Sequence, residues 1–178
     1  NHAPLCFPPA GELLDIYLDA VGANASLLLN IPPDTHGHIA APDCASLAEL
    51  GAKIRQIFAD NVTEKAAITA DSAIAQHPIT QAVDGMADTY WQAAYGQEFD
   101  TITLKFPKPQ KVSCVVLGEH LPTGQRIESG EIWADGSKVS EFTVVGHKRI
   151  CRLTPVDVQT LTIKITASRT EPTLRLLE

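Results

Sequence analysis

A mainly β protein is what this sequence predicts: an antiparallel sandwich of jelly-roll type, preceded by a helix–strand–helix unit. Three observations lead there. Helical periodicity is confined to the first third of the chain, up to Phe58. Beyond Asp60 it gives way to short alternating runs rich in Val, Ile, Thr and Phe. Gly, Pro and Asp punctuate those runs at short intervals, as the turns of an all-β domain require.

From Gly11 to Asn24, Leu13, Leu14, Ile16, Tyr17, Leu18 and Val21 recur at helical spacing, while Glu12, Asp15 and Asp19 hold the other face. The apolar run Ala25–Ile31 follows and stops at Pro32-Pro33-Asp34. Its composition predicts a strand buried on both faces, as in a parallel sheet. A second amphipathic helix is expected over Ala41–Phe58, with Pro42 near its start, Asp43 in its first turn, and Leu47, Leu50, Ile54 and Ile57 on one stripe. One parallel strand leaves two unpaired edges, so something upstream must complete that sheet. In the isolated chain, residues 11–58 must therefore be covered by the sandwich, by another copy or by a rearrangement.

Strands are then expected at Ala66–Ala70, Thr101–Phe106, Ser113–Gly118, Ile127–Ala134, Glu141–Val145, His147–Thr154, Thr160–Ala167 and Thr173–Leu177. Eight short strands with brief connections make a sandwich. The boundary separates residues 1–60 from 61–178, and 178 residues suffice for one complete domain plus an element too small to stand alone.

The 14 Lys and Arg against 21 Asp and Glu, a net charge of −7, argue against a nucleic-acid partner. No run approaches the roughly 18 apolar residues of a membrane helix. Asn1-His2-Ala3-Pro4 lacks the charged and apolar regions of a signal peptide, and the true start of the protein is expected upstream. Cys6, Cys44, Cys114 and Cys151 show no metal-binding spacing and read as free thiols, with Cys114 and Cys151 the better candidates for any bridge. The sequons at Asn24 and Asn61 read as chance occurrences, the first because it leads straight into an apolar segment.

The segment Ala25-Ser26-Leu27-Leu28-Leu29-Asn30-Ile31-Pro32-Pro33-Asp34-Thr35-His36-Gly37, with Leu14–Gly22 before it, resembles the end of the catalytic domain in family 29 α-L-fucosidases. Downstream, Ala82-Val83-Asp84-Gly85-Met86-Ala87-Asp88-Thr89-Tyr90-Trp91 looks like the Asp-Gly…Thr-x-Trp signature of discoidin, or factor 5/8 type C, domains, a galactose-binding-like fold. Val115–His120, Gly124–Ser129 and Gly146–Ile150 are similar to the form of this sandwich appended to bacterial fucosidases. The resemblance implies the C-terminal part of a retaining glycosidase: residues 1–60 as the last segment of a (β/α)8 barrel and 61–178 as a carbohydrate-binding sandwich. Its partners would be fucosylated glycans and the upstream barrel, its location periplasmic or secreted, and no cofactor would be required. Neither catalytic carboxylate of the family falls in this segment, so no catalytic residue is carried over. A stand-alone carbohydrate-binding module without chemistry is the rival reading.

Asn30 ends the predicted barrel strand, which places it either at the rim of the active site or in a turn-anchoring role. Asp84, Asp88 and Thr89 occupy the loop that holds a structural calcium in many sandwiches of this type, although Leu176 stands where the family tends to supply a Glu. Trp91 is expected in the core. Trp133 alternates with Ile132 and faces outward, to stack on a sugar or to pack on the barrel. His120 and Arg126 are sugar-binding candidates, and the wider set Arg126, Lys148, Arg149, Arg152 and Arg169 has Glu119, His120 and Glu128 available for internal pairing. His36 and His38, between Asp34 and Asp43, read as surface residues of a turn rather than metal ligands.

Overall fold

The computed structural model describes residues 7–178. Cys6 lies outside them. Two α-helices, α1 (Ala10–Val21) and α2 (Ala41–Ile57), precede eight strands, so the chain is mainly β, and none of the described helices is long and apolar enough to cross a membrane.

The strands are β1 (Ala67–Ala70), β2 (Trp91–Gln92), β3 (Asp100–Gly118), β4 (Ile127–Ala134), β5 (Ser137–Phe142), β6 (Arg149–Ser168), β7 (Thr173–Leu174) and β8 (Leu176–Leu177). They form one antiparallel sheet ordered β1-β3-β6-β4-β5, with β8 on β3, and a two-stranded sheet of β2 and β7. The final strand expected over Thr173–Leu177 splits at Arg175, whose N–H donates to the Gly118 carbonyl at 2.8 Å. Its first half pairs with β2 and its second with β3, so the C-terminus joins the two sheets.

Two pairs of expected strands are fused. The gap expected between Phe106 and Ser113 holds Pro107 and Pro109, yet β3 continues through them for 19 residues beside the 20-residue β6. The ladder jumps from Lys105↔Thr160 to Gln110↔Val158, setting four residues of β3 against one of β6. Proline lacks a ladder donor and is tolerated at such an irregularity, which also bends the ribbon. Residues from both halves of the ribbon, among them Ile102, Leu104, Val115 and Leu117, then pack in one core around Trp91, which is fully buried with its indole N–H on the Ser72 carbonyl at 3.0 Å. The β5 strand lies earlier than the Glu141–Val145 expected for it. Asp135 and Gly136, both at positive φ, make a two-residue hairpin turn that pairs Ala134 with Ser137.

The expected strand at Ala25–Ile31 does not form. A parallel strand needs neighbours on its edges, and none exists here, so the segment stays irregular with Leu28 94% exposed. The helices are instead covered by the sandwich. Leu18 packs with Val116 and Ile150, flanked by Leu14, Tyr17, Ile57, Phe58 and Leu176. At the end of α1 the Gly22 carbonyl accepts the Ile150 N–H at 3.1 Å, an approach that a Cβ on Gly22 would block. Asn24 extends the junction: its amide donates to the Val145 carbonyl and accepts the Lys148 N–H, both at 2.8 Å.

Cys114 and Cys151 are free thiols, not a bridge. Cys151 stands opposite Val115, one residue out of step with Cys114, so the two side chains leave opposite faces of the ladder. Cys151 belongs to the core, where burial pushes its thiol up to about 11. Burial also raises the Cys114 thiol, which packs under the helices.

Candidate functional site

Loops from four parts of the sequence meet beside the β2–β7 sheet. His77 closes a turn in which its N–H donates to the Ile74 carbonyl, and its own carbonyl accepts the Gln92 N–H at 3.2 Å. Tyr90 enters β2 directly, and His120 leaves β3 two residues after Gly118. These three rings form a stack. His77 and Tyr90 lie 3.9 Å apart at 20°, and Tyr90 and His120 lie 3.9 Å apart at 10°.

The stack is held by a buried carboxylate. Glu119 is fully buried, and its oxygens accept the N–H groups of Arg126 at 2.6 Å, Ile127 at 2.8 Å and Gly146 at 2.6 Å. Three charge-assisted bonds satisfy a carboxylate that burial would otherwise penalise heavily, and they fix the loop between β3 and β4. Within that loop Thr123 binds the His120 carbonyl through its N–H and its hydroxyl. The Arg126 guanidinium donates to the Glu171 carbonyl at 2.8 Å, tying in the loop after β6. The Glu171 carboxylate points elsewhere, onto the Gly96 N–H at 2.8 Å and the Thr170 hydroxyl, and these bonds hold its pKa down at about 2.

Cations surround His120. Burial lowers its imidazole pKa first, then the charges of His77, Arg175 and Arg126, with Asp88 opposing them. The His120 Nδ1 atom is enclosed and has no hydrogen-bond partner. The predicted candidates His120 and Arg126 are thus brought together, joined by His77, Tyr90 and Arg175. Tyr90 lies within the motif ending in Trp91, but no spacing in the sequence links it to His77 or Arg175, which reach the site through separate loops.

The other candidates stand apart. Trp133 lies on the outer face of β4, its indole N–H on Glu131 at 2.9 Å and the Lys164 ammonium 4.0 Å from its ring centre. One ring face is therefore taken by a cation rather than left free for a sugar. Asn30 is exposed in the irregular segment, not at a strand end. Asp84 and Thr89 do meet, the Thr89 hydroxyl donating to both Asp84 oxygens at 2.9 and 2.7 Å while the Met86 N–H donates at 2.9 Å. This closes the loop through its own groups. The side chains of Asp84, Asp88 and Thr89 carry five oxygens, to which backbone carbonyls would have to be added to reach the roughly six to eight that calcium takes. Among the described residues no group of three or more His, Cys, Asp or Glu is arranged to hold a metal. Asp34 accepts the N–H groups of His36 and His38, as a turn residue does.

Of the cation set, Arg169 pairs with Glu128 at 2.8 Å and Arg152 reaches back to Asp15 of α1 at 2.8 Å. Internal pairing thus accounts for part of the set, with different partners from those expected for Arg152.

The chain is 30% identical to alpha-L-fucosidase 1 of Arabidopsis thaliana over 188 aligned residues, covering 99% of this chain and 37% of that protein. The structure superposes on a family 29 fucosidase of Ruminococcus gnavus, solved in complex with fucose, with a TM-score of 0.87 and 25% identity, over 96% of this chain and 36% of that one. It matches the C-terminal part of family 29 α-L-fucosidases. It spans little more than a third of the length of these fucosidase relatives. A chitosan-binding module from Paenibacillus, solved with chitotriose, shares the fold of the β region: TM-score 0.59, 20% identity, 66% of this chain and 98% of the module. No family model matches the chain. The fucosidase match runs through helices and sandwich alike, so the two parts of the chain occur together in these relatives.

Proposed function

We propose that the protein containing this chain is a retaining α-L-fucosidase releasing L-fucose from glycans. In this reading residues 1–60 close its (β/α)8 catalytic barrel and residues 61–178 form a discoidin-like jelly roll that contacts carbohydrate. The observation that carries it is the match to fucosidases over 99% of the chain, across both helices and sandwich. The exposed apolar segment Ala25–Ile31 supports the barrel assignment: it has the composition of a buried strand and lacks only its neighbours.

This part alone is catalytically incomplete. Retention needs two carboxyl groups about 5 Å apart across the scissile bond. The buried carboxylates here serve the fold: Glu119 holds three backbone N–H groups, and Asp100 accepts the Asp71 N–H and the Ser72 hydroxyl. Aryl fucoside hydrolysis by the pure 178-residue chain, compared with the chain joined to the coding region upstream of Asn1, tests this directly. Turnover is expected only from the longer protein; turnover by the chain alone would overturn the assignment. The same reading places the enzyme outside the cytoplasm, in a periplasm or secreted, which cell fractionation checks.

A second reading makes the sandwich a binding module independent of the barrel. The ringed and cationic loop cluster around His120 favours it, since such loops are where a sandwich presents ligand contacts. Saccharide binding that persists in the isolated chain supports this reading, whereas binding seen only with the upstream region supports a site shared with the barrel.

A further inference from the structure

The cations around His120 run against the composition of the chain. With 21 acidic and 14 basic side chains, an unbiased patch would be acidic. Yet Arg126 lies in the loop that follows His120, tied to it through Thr123, and the Arg175 N–H donates to the Gly118 carbonyl two residues before His120. Resting on the carbohydrate reading of the sandwich, we propose that His120, Arg126 and Arg175 form a subsite for the carboxylate of an acidic sugar, a uronate within an oligosaccharide.

Among the described residues, neither Arg126 nor Arg175 has a carboxylate within 4.0 Å, whereas Arg152 and Arg169 are both paired. Arg126 spends two of its donors on carbonyls, Nη1 on Glu171 and Nε on Thr123. Those bonds hold the guanidinium plane still and leave the Nη2 donors for a charge-assisted hydrogen bond to a carboxylate oxygen. The neighbouring acid is turned away, because the Glu171 carboxylate is engaged by Gly96 and Thr170. Glu119, next in sequence to His120, is likewise occupied by three backbone N–H groups. Two guanidinium groups are thus collected beside the His120 imidazole without a carboxylate paired to either. The stack on Tyr90 fixes the orientation of the His120 ring.

An anion bound here stabilises protonated His120, so by linkage affinity rises as pH falls through the titration of that imidazole.

The test is calorimetric titration of the 178-residue chain with trigalacturonate, its methyl ester, galactotriose and sodium acetate at matched ionic strength. Trigalacturonate is expected to bind about tenfold or more tightly than its ester, as loss of a charge-assisted pair requires. Binding should weaken with added salt and tighten as pH falls. Arg175 donates no side-chain hydrogen bond in the described structure, so Arg175→Gln tests the subsite without unfolding it, and about a tenfold loss for the acid with none for the ester is expected. Equal binding of acid and ester, or an Arg175→Gln protein that binds the acid unchanged, overturns the subsite while leaving carbohydrate binding intact. Acetate competing as well as the oligosaccharide overturns its assignment to a sugar. Absence of binding by every saccharide overturns this inference together with the carbohydrate reading of the isolated chain.

Discussion

The sandwich and the helical segment before it solve the burial problem differently. In the sandwich, one continuous core runs from Trp91 through both halves of β3 and β6, and all but its rim is closed by its own strands. The helical segment has no core of its own. It buries Leu13, Leu18 and Leu50, borrows Val116 and Ile150 from the sheet, and leaves Leu28 almost wholly in solvent. A strand-rich region can close upon itself through antiparallel pairing within short sequence distances. A helix–strand–helix unit cannot, because its strand requires parallel neighbours that other parts of a chain must supply.

Substitutions should separate the two regions sharply. Trp91→Ala removes a fully buried indole and is expected to cost about 3–5 kcal/mol, read from urea denaturation. Leu28→Ser, at an equally apolar position of the other region, should stay within about 0.5 kcal/mol. A Leu28→Ser loss of several kcal/mol would mean that the segment is covered in solution by a second copy.

At the junction, Asn24→Ala removes two hydrogen bonds between the helical segment and the loop before β6. About 1–2 kcal/mol is expected, with faster amide exchange confined to α1. Uniform acceleration across the sandwich would show that the two regions unfold as one unit. A glycan at Asn24 would break the same bonds, a structural reason to expect this sequon to stay unmodified that the sequence did not provide.

The acid limb of stability sharpens the loop end. Glu171 has its pKa lowered from 4.5 to about 2, chiefly by the Gly96 N–H and next by Thr170. A depressed carboxylate contributes stability above its unfolded pKa and loses it as pH falls through the folded one. Melting temperatures of wild type and Glu171→Gln should therefore differ at pH 6 and converge between about pH 4.5 and 2. Asp100 acts in the opposite sense: burial raises its pKa, so its protonation favours the folded state on the same limb, and the double variant with Asp100→Asn isolates the Glu171 contribution.

The smallest effect is expected at the outer ion pair. Arg152→Ala removes an exposed contact to Asp15 and should change stability by less than about 1 kcal/mol, measured by thermal denaturation. A larger loss would show that this bridge, and not the Leu18 cluster, holds α1 to the sheet.

Periodicity placed α1 and α2 within a few residues of their observed bounds, because a helix is stabilised by its own near neighbours. It also found segments of β3, β4 and β6, where alternation follows from one-sided burial. It failed where partners decided. Pro107 and Pro109 lie within a strand because β6 tolerates a register jump there, and Cys114 and Cys151 remain apart because the ladder sets them one residue out of step. Of the loop-end cluster, His120 and Arg126 stood out by residue type alone, and their proximity to Arg175 was not legible.

The sequence by itself determined the class of the chain, the helix-to-strand change near Asp60 and the fucosidase resemblance, since each is written in local pattern or in contiguous motif. Only the tertiary structure decided that Ala25–Ile31 stays unpaired, that the sheet takes over the covering of the helices, and that His77 and His120 from separate loops stack on the two faces of Tyr90. Edges, covering and convergence depend on which distant residues become neighbours, and no window of sequence contains both members of such a pair.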